Sequence, residues 1–221
     1  MKLAVLYSGG KDSNLALYYA LRYENVKCLI SIFSKNPHSF MFHTPNIELV
    51  KLQAEAIDLP LIIQKTKGEK EIELKDLKKA IKKAKEKYKV EGIVTGAVKS
   101  VYQASRIQKI CKALDLWCFN PLWLKQENEL LKEIKKAKFN VIVSGVFAWP
   151  LSKKHVGKKL FDVVKELEKH GISKIGEGGE IETTVLDAIF FRKKIEIVDA
   201  EIFGSNNTWF YKIKKAKLIE K

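Results

Sequence analysis

A polar, glycine-containing segment near the N-terminus has the composition of a phosphate-binding loop. It follows an apolar run at residues 3–7 that predicts a buried strand, and it precedes residues 14–21, which predict a helix. Two consecutive glycines permit positive φ angles and a close approach of the backbone. A helix start adds N–H groups and the positive end of the helix dipole. We therefore predict that phosphate groups bind Ser8, Gly9, Gly10, Lys11, Asp12 and Ser13.

This segment fits neither of two familiar phosphate loops, the dinucleotide fingerprint G-x-G-x-x-G and the Walker loop G-x-x-x-x-G-K-[ST]. The hydroxyl groups of Ser8 and Ser13 and the charge of Lys11 would add donors to the backbone. Asp12 is the residue type that holds Mg²⁺ beside phosphates. The alternative interpretation is an ordinary turn in which an Asp or Ser caps the following helix.

A second polar stretch, residues 96–106, begins where an apolar run ends and continues into a predicted helix. Gln103 and Arg106 are three residues apart and therefore share a helix face. The forked donors of Arg106 suit a phosphate or a carboxylate, and Gln103 suits a base or an amide. In the alternative interpretation this is an ordinary helix start, and Arg106 pairs with a surface acid.

A third stretch, residues 176–184, reads Gly-Glu-Gly-Gly-Glu-Ile-Glu-Thr-Thr and predicts a flexible acidic loop. Its glutamates Glu177, Glu180 and Glu182, with Asp187 shortly after, would present several carboxylates to one point. Carboxylates can hold Mg²⁺, bind ammonium or deprotonate an incoming amine. The alternative is a solvated acidic loop. A cluster of acidic residues in a chain of net charge +15 favours the functional interpretation.

The composition restricts the class of protein. The chain has 221 residues, 46% of them hydrophobic, which suffices for one large domain or two small ones. No stretch approaches the about 20 apolar residues that span a bilayer, and the N-terminus does not resemble a signal peptide. We therefore expect a cytoplasmic protein that does not associate with a membrane. Three cysteines without a C-x-x-C pair indicate neither a disulfide scaffold nor a zinc ribbon.

The net charge of +15 makes nucleic acid a candidate partner. Most lysines, however, lie in predicted helices together with acidic residues, which is typical of a solvated surface. The chain lacks interleaved arginine and aromatic residues and an RNA-binding signature. Nucleic acid is therefore not the favoured partner, and a homo-oligomer is compatible with the sequence.

Apolar runs alternate with helical patterns along most of the chain, which predicts an α/β fold with an open parallel sheet and helices on both faces. We predict strands at 2–7, 26–33, 59–65, 90–96, 117–122 and 140–147. The predicted helices are 13–24, 46–57 with Asn46 as a cap, 71–88, 101–116, 127–137 and 157–169. Residues 193–203 and 208–219 predict a hairpin, within a smaller C-terminal α+β domain.

Ligands of an open parallel sheet bind outside the carboxyl ends of its strands. This rule places the segment 8–13, Ser31 and Gly96 at one edge of the sheet. We therefore predict that the segment 8–13 and the Gly96 region are neighbours. We divide the chain near Lys125 into an N-terminal domain that carries the predicted phosphate loop, 1–125, and a smaller mixed substrate domain, 126–221.

Five motifs resemble one family. The string Ser-Gly-Gly-Lys-Asp-Ser at 8–13 is similar to the signature of the PP-loop ATP pyrophosphatases, which have the adenine nucleotide alpha hydrolase-like (HUP-type) fold. GAVxSxYQxxR at 96–106, PLW at 121–123, EGGEIET at 177–183 and MFHTP at 41–45 resemble the diphthine–ammonia ligases. The resemblance covers nearly the whole chain and indicates the short form, without the extra C-terminal domains of eukaryotic members.

The resemblance implies an ATP-dependent amide synthesis. The substrate would be diphthine, a modified histidine of translation elongation factor 2. Its carboxylate would attack the α-phosphate of ATP and release pyrophosphate, and ammonia, taken from free ammonium, would convert the acyl-adenylate into diphthamide and AMP.

The same resemblance implies roles for the candidate residues. The segment 8–13 would bind the β and γ phosphates with Mg²⁺ held by Asp12, and Ser31 and Gly96 would flank the adenosine. Gln103 and Arg106 would contact the α-phosphate or the substrate carboxylate. Glu180 and Glu182, supported by Glu177, would position or deprotonate ammonium, and His43 is a candidate contact to nucleotide or substrate.

Two other functions stay open at this point. One is an RNA-modifying enzyme of the same superfamily, which the positive charge supports and the absence of a cysteine pair disfavours. The other is a non-catalytic module that binds an adenine nucleotide.

Overall fold

The computed structural model describes residues 1–36, 45–69 and 71–221, and these form two compact units. The first comprises the described residues of Met1–Ser8, Asp12–Thr44 and Asp58–Leu124. The second comprises Gly9–Lys11, Pro45–Ile57 and Lys125–Lys221. The second unit thus includes two short segments that the sequence-based division placed in the N-terminal domain.

The first unit contains a parallel sheet with the strand order β3-β2-β1-β4-β5. Its strands are β1 (Lys2–Leu6), β2 (Asn25–Ser34), β3 (Leu61–Thr66), β4 (Gly92–Val94) and β5 (Trp117–Phe119). The helices that connect them are α1 (Lys11–Tyr23), α3 (Ile72–Tyr88) and α4 (Val101–Ala113), while α2 (Val50–Ile57) belongs to the second unit. The predicted open parallel sheet is confirmed.

Burial on both faces follows from the sequence of the strands. The consecutive residues Ala4 and Val5 of β1 both have an exposed fraction of 0%, although their side chains point to opposite faces. The sheet is therefore covered on both sides, as in other parallel sheets with helical crossovers. One cover is α3, whose apolar residues Leu77, Ala80, Ile81 and Ala84 recur at helical spacing and are fully buried.

The second unit is built on an antiparallel sheet with the strand order β7-β6-β9-β8. Its strands are β6 (Asn140–Val146), β7 (Ile181–Asp187), β8 (Lys194–Ser205) and β9 (Thr208–Ile219). Its other helices are α5 (Glu127–Lys136), α6 (Leu160–Lys169) and the 3₁₀ turn Ile47–Leu49. The C-terminal hairpin turns at Asn206, where φ is +50°. This mixed α+β part agrees with the prediction.

The acidic stretch was predicted wrongly as a single flexible loop. Its second half forms β7, which pairs with β6. Asp187 lies at the far end of this strand from the glycine turn, where it bonds the N–H of Ala188 and pairs with Lys221 at 2.7 Å. Asp187 therefore does not join the glutamates.

Asn46 does not cap the following helix, contrary to prediction. Its φ is +61° and its side chain makes no capping bond. Instead its Nδ2 donates to the carbonyl of Tyr211 (2.9 Å), and its Oδ1 accepts from the N–H of Ile213 (2.8 Å). The β6–β9 ladder covers Trp209 and Phe210, so Asn46 satisfies the backbone of β9 just beyond it.

Within the described ranges no helix combines the length and the apolarity needed to cross a membrane. Cys28, Cys111 and Cys118 are free thiols, and burial raises the pKa of Cys28 to about 12.

We predict that Asn46→Ala lowers the free energy of unfolding by about 1–3 kcal/mol, because two partly buried backbone groups of β9 lose their partner. Urea denaturation measures this difference. The control is Gln64→Ala, which removes an amide that donates to the exposed carbonyl of Lys65 and should change stability by less than about 0.5 kcal/mol. Equal effects of both substitutions would show that the two hydrogen bonds from Asn46 to β9 do not contribute to stability.

Candidate active site

The glycine loop joins β1 to α1, as the sequence predicted. β1 ends at Leu6 and α1 begins at Lys11, so the loop consists of residues 7–10. Gly9 has φ +80°, a left-handed conformation that favours glycine. The hydroxyl of the exposed Ser8 lies 3.2 Å from that of Ser13 in the first turn of the helix. The segment thus has the strand, left-handed turn and helix start that phosphate binding requires.

The carbonyl of Gly9 is held by two donors of the second unit. The side-chain amide of Gln53 donates to it at 2.9 Å and also donates to the carbonyl of Val185 at 2.7 Å. The N–H of Val185 is the second donor, at 3.1 Å. Gln53 has an exposed fraction of 0%. The glycine turn is therefore bonded along the outer edge of β7 by a buried neutral amide.

A third bond fixes the other end of the turn. The backbone N–H of Lys11 donates to Oγ1 of Thr183 at 3.1 Å, and both residues are nearly fully buried. Thr183 belongs to the EGGEIET motif. The first and third sequence motifs are therefore brought together, through backbone and hydroxyl groups that the sequence analysis had not assigned.

The predicted proximity of the Gly96 region to the helix start is confirmed within the first unit. A Cβ atom on Gly96 would lie 2.9 Å from the backbone carbon of Asp12 and 2.9 Å from the nitrogen of Ser13. A side chain at this position would thus collide with backbone, so glycine permits the contact.

Ser31 lies at the predicted edge but is buried, with an exposed fraction of 1%. Its hydroxyl donates to the carbonyl of Tyr7 at 2.6 Å, which ties the beginning of the glycine loop to β2. Its contact with adenosine stays a prediction.

Arg106 is held by two neighbours in the first unit. Its Nη2 lies 3.0 Å from Oε1 of Glu71, and its guanidinium lies 3.5 Å from the centre of the Tyr102 ring. This is the pairing with a surface acid that the sequence left open. Because such exposed pairs contribute at most about 1 kcal/mol, a phosphate or carboxylate could replace Glu71 at small cost.

Gln103 lies in the first turn of α4, on the helix start that Ser100 caps. The hydroxyl of Ser100 accepts from the N–H of Gln103 at 3.3 Å. The side chain of Gln103 is partly exposed, and its contact with a ligand stays a prediction.

The glycine turn before β7 is rigidly bonded. Gly176 and Gly179 have φ +68° and +82°, and the N–H of Gly179 donates to the carbonyl of Gly176. The N–H of Glu177 donates to the hydroxyl of Ser173, which itself donates to Glu127 at 2.7 Å. The turn therefore presents Glu177 and Glu180 from a defined backbone.

Glu182 projects from β7 opposite to its strand neighbours, because side chains alternate along a strand, and Glu180 lies in the bend immediately before the strand. Both are partly exposed, whereas Ile181 and Thr183 between and beyond them are buried. The Oε2 atom of Glu180 is buried and has no hydrogen-bond partner among the described residues. A carboxylate oxygen in this situation is costly unless a cation or donor joins it.

The described residues contain no group of three or more metal-binding side chains. Mg²⁺ in nucleotide sites commonly uses one or two carboxylates plus phosphate oxygens. The partly exposed Asp12, in the first turn of α1, fits such a site. His43 and most of the MFHTP motif lie outside the described residues.

The sequence analysis missed Gln53 and Thr183 as loop anchors. One signal was available for Gln53, which shares the apolar stripe of α2 with Val50, Ala54 and Ile57 at helical spacing. A polar residue on a buried stripe requires partners, but their identity depends on contacts with distant segments.

Family models cover almost the whole chain. Residues 1–117 match the diphthamide synthase N-terminal domain, and residues 126–219 match the diphthamide synthase C-terminal domain. The chain belongs to the diphthamide synthase family. It is therefore an enzyme of a ligase family, as the resemblance of its motifs implied.

Relatives of the diphthamide synthase family named diphthine–ammonia ligase align over most of the chain. The bovine protein is 32% identical over 100% of this chain and 91% of its own length. The human protein is 33% identical over 91% of this chain and 85% of its own length. The Schizosaccharomyces pombe protein is 32% identical over 97% of this chain, which spans only 39% of that longer protein.

Two solved structures are similar to this member of the diphthamide synthase family. A predicted subunit of tRNA methyltransferase from Methanocaldococcus jannaschii is 17% identical with a TM-score of 0.42, over 85% of this chain and 97% of that chain. The U34-tRNA thiolase NcsA from Methanococcus maripaludis is 20% identical with a TM-score of 0.41, over 81% of this chain and 70% of that chain. At these TM-scores the likenesses carry no argument about function.

We predict that Gly9→Ala raises the Kd for ATP about tenfold or more. The added Cβ would lie 2.3 Å from Oε1 of the buried Gln53, in a backbone conformation that disfavours side chains. Isothermal titration calorimetry measures the affinity.

The matched control is Gly171→Ala. Gly171 has φ +67°, but no atom lies within 4 Å of a Cβ there. This control carries the same backbone penalty without the collision and should bind ATP normally. An unchanged Kd in Gly9→Ala would show that the loop is not the nucleotide site.

Proposed function

We propose that this protein is a diphthine–ammonia ligase. It would use ATP to convert the carboxylate of diphthine on translation elongation factor 2 into the amide of diphthamide, with release of AMP and pyrophosphate. Full-length relatives that carry this name support the proposal. The observation that carries it is that one short strand, β7, both anchors the glycine loop through Thr183 and bears Glu182 as the next residue.

ATP would bind with its β and γ phosphates at the segment 8–13. The left-handed Gly9 and the start of α1 suit these oxygens, and Lys11 adds charge. Asp12 would hold Mg²⁺, and the metal would supply positive charge for the leaving pyrophosphate. Ser31 and Gly96, which position the two ends of the loop, would lie toward the nucleoside.

The proposed reaction has two steps, adenylation of the carboxylate and amination of the acyl-adenylate. An oxygen of the diphthine carboxylate attacks the α-phosphorus, the bond to the β-phosphate breaks, and pyrophosphate leaves, which gives an acyl-adenylate. The nitrogen of ammonia then attacks the acyl carbon, AMP leaves with the former carboxylate oxygen, and one proton is released. Arg106, by exchanging Glu71 for the α-phosphate or the substrate carboxylate, and Gln103 would orient the reacting groups.

Glu180 is the best-supported residue for ammonium. Its buried Oε2 atom lacks a donor among the described residues, and ammonium supplies N–H donors together with a compensating charge. Glu182 on the same face would accept the proton as ammonium becomes the nucleophile ammonia, and Glu177 would support the turn. A substrate that belongs to the translation machinery places the reaction in the cytoplasm.

The decisive experiment combines the protein with ATP, Mg²⁺, ammonium and an elongation factor arrested at diphthine. Chromatography follows AMP and pyrophosphate, and mass spectrometry follows the factor. AMP together with the mass difference between OH and NH₂ is the expected result. AMP formed only when tRNA is present would favour an RNA-modifying enzyme instead, and ATP binding without any cleavage would favour a non-catalytic nucleotide-binding module.

We predict that Glu180→Gln lowers kcat/KM for ammonium about 10- to 100-fold, because a charge-assisted bond to the cation is lost. The KM for ATP should stay unchanged. Steady-state AMP formation at varied ammonium measures both constants.

The control for Glu180→Gln is Glu196→Gln, which alters an exposed glutamate of the same unit paired with Lys217. Its kinetic constants should equal those of the unmodified enzyme. Full amidation by Glu180→Gln with a loss only of ATP affinity would refute the ammonium role.

A further inference from the structure

A row of directly paired residues crosses one face of the antiparallel sheet. Glu182 of β7 pairs with Gly145 of β6, Gly145 with Phe210 of β9, and Phe210 with Phe203 of β8. Directly opposed residues of neighbouring strands point to the same face. The row therefore leads from a carboxylate, over a glycine, to two aromatic rings at the other edge of the sheet.

A third aromatic ring fills the gap above the glycine. A Cβ atom on Gly145 would lie 2.8 Å from the ring of Phe147 and 3.5 Å from Cβ of Glu182. The Phe147 ring thus folds over Gly145 beside the glutamate. It meets Phe210 edge to face, with centroids 5.3 Å apart at 69°, and Phe210 stacks on Phe203 at 5.2 Å and 20°.

Around Glu182 this face is less buried than the opposite one, although Thr184 and Leu186 further along the same face are buried. In the adjacent register position Ile181 and Val146, which point to the opposite face, have exposed fractions of 4% and 0%. Phe203 is 47% exposed, and Phe147 and Phe210 are partly exposed. The three rings therefore offer aromatic surface to a ligand.

The chemistry of the row selects a particular ligand. Faces of aromatic rings attract organic cations, whose alkyl or ring carbon surface is weakly hydrated. The carboxylate of Glu182, directly opposite Gly145 at one end of the row, makes this surface unfavourable for anions. An inorganic ammonium ion needs the carboxylates but gains little from an extended aromatic surface.

We propose that Phe147, Phe210, Phe203 and Glu182 form a subsite for an organic cation. Its occupant in the reaction is the modified histidine side chain of the protein substrate, in a cationic form. This assignment of the occupant rests on the proposed ligase function. The subsite places the substrate along the face that bears Glu182, one residue beyond Ile181 and close in sequence to Glu180.

The binding test uses tetramethylammonium chloride as the probe and the full chain without ATP or elongation factor. Aromatic ¹H–¹³C NMR spectra are recorded during titration, with sodium chloride and ammonium chloride at matched ionic strength as references. We expect saturable shifts of Phe147, Phe203 and Phe210 with tetramethylammonium only. Absence of these shifts, or equal shifts with ammonium chloride, would overturn the proposal.

Two leucine variants remove the aromatic faces while they keep apolar volume. Phe210→Leu and the more exposed Phe203→Leu should each bind tetramethylammonium about three- to tenfold more weakly. The control is Phe161→Leu, which removes a phenylalanine of 39% exposure from α6 in the same unit and should bind normally. Equal affinities of all three variants would overturn the proposal.

The occupant is tested with the enzyme and the diphthine-bearing factor. Phe203→Leu should raise the KM for the factor about three- to tenfold, with the KM values for ATP and ammonium unchanged. An unchanged KM for the factor would refute the occupant. If the unmodified enzyme formed no AMP with the factor, the ligase function would fail, whereas the tetramethylammonium titration would still decide the cation subsite.

Discussion

The carbonyl oxygen of Gly9 accepts hydrogen bonds from the amide of Gln53 and from the N–H of Val185, and the shape of the phosphate loop depends on this point. In a short loop, a residue with left-handed backbone angles has no helix or strand hydrogen bonds that fix its peptide orientation. Two donors fix its carbonyl direction, and the bond from Lys11 to Thr183 fixes the peptide where the helix begins. Each bond contributes about 0.5–1.5 kcal/mol, which is comparable with the about 1–2 kcal/mol of backbone entropy lost when one residue is fixed.

Strand β7 connects this anchor with the acidic chemistry. Its outer edge and the buried Thr183 bond the loop, while Glu182 projects to the opposite face beside the aromatic row and Glu180 lies in the bend just before the strand. Because side chains alternate along a strand, one seven-residue element serves both purposes without mixing their side chains. A change in the backbone of β7 would therefore disturb loop and glutamates together, which couples the proposed adenylation and amination steps through one rigid element.

The loop, the parallel sheet and most helices were predictable, because apolar periodicity and the glycine turn are local signals. Strand β7 was not, since its start follows a glycine turn rich in glutamate and its pairing with β6 is a long-range contact. Asn46 looked like a helix cap for the same reason: the backbone that it bonds, in β9, lies far along the chain. For Arg106 the sequence left two types of partner open, a ligand or an acidic side chain, and the structure shows that the acidic side chain is Glu71.

The uncharged side chain of Gln53 is compatible with phosphate binding at the glycine loop that it holds. Gln53 is fully buried, and a charged residue in its place would bear the desolvation penalty of an ion as well as repel or capture the ligand. An amide donates to two carbonyl groups, those of Gly9 and Val185, without adding net charge near the phosphates. In the proposed function, the charges that bind phosphate are supplied by the helix start and Lys11. Glu182 lies on another face of the unit's sheet, where the proposed ligands carry positive charge.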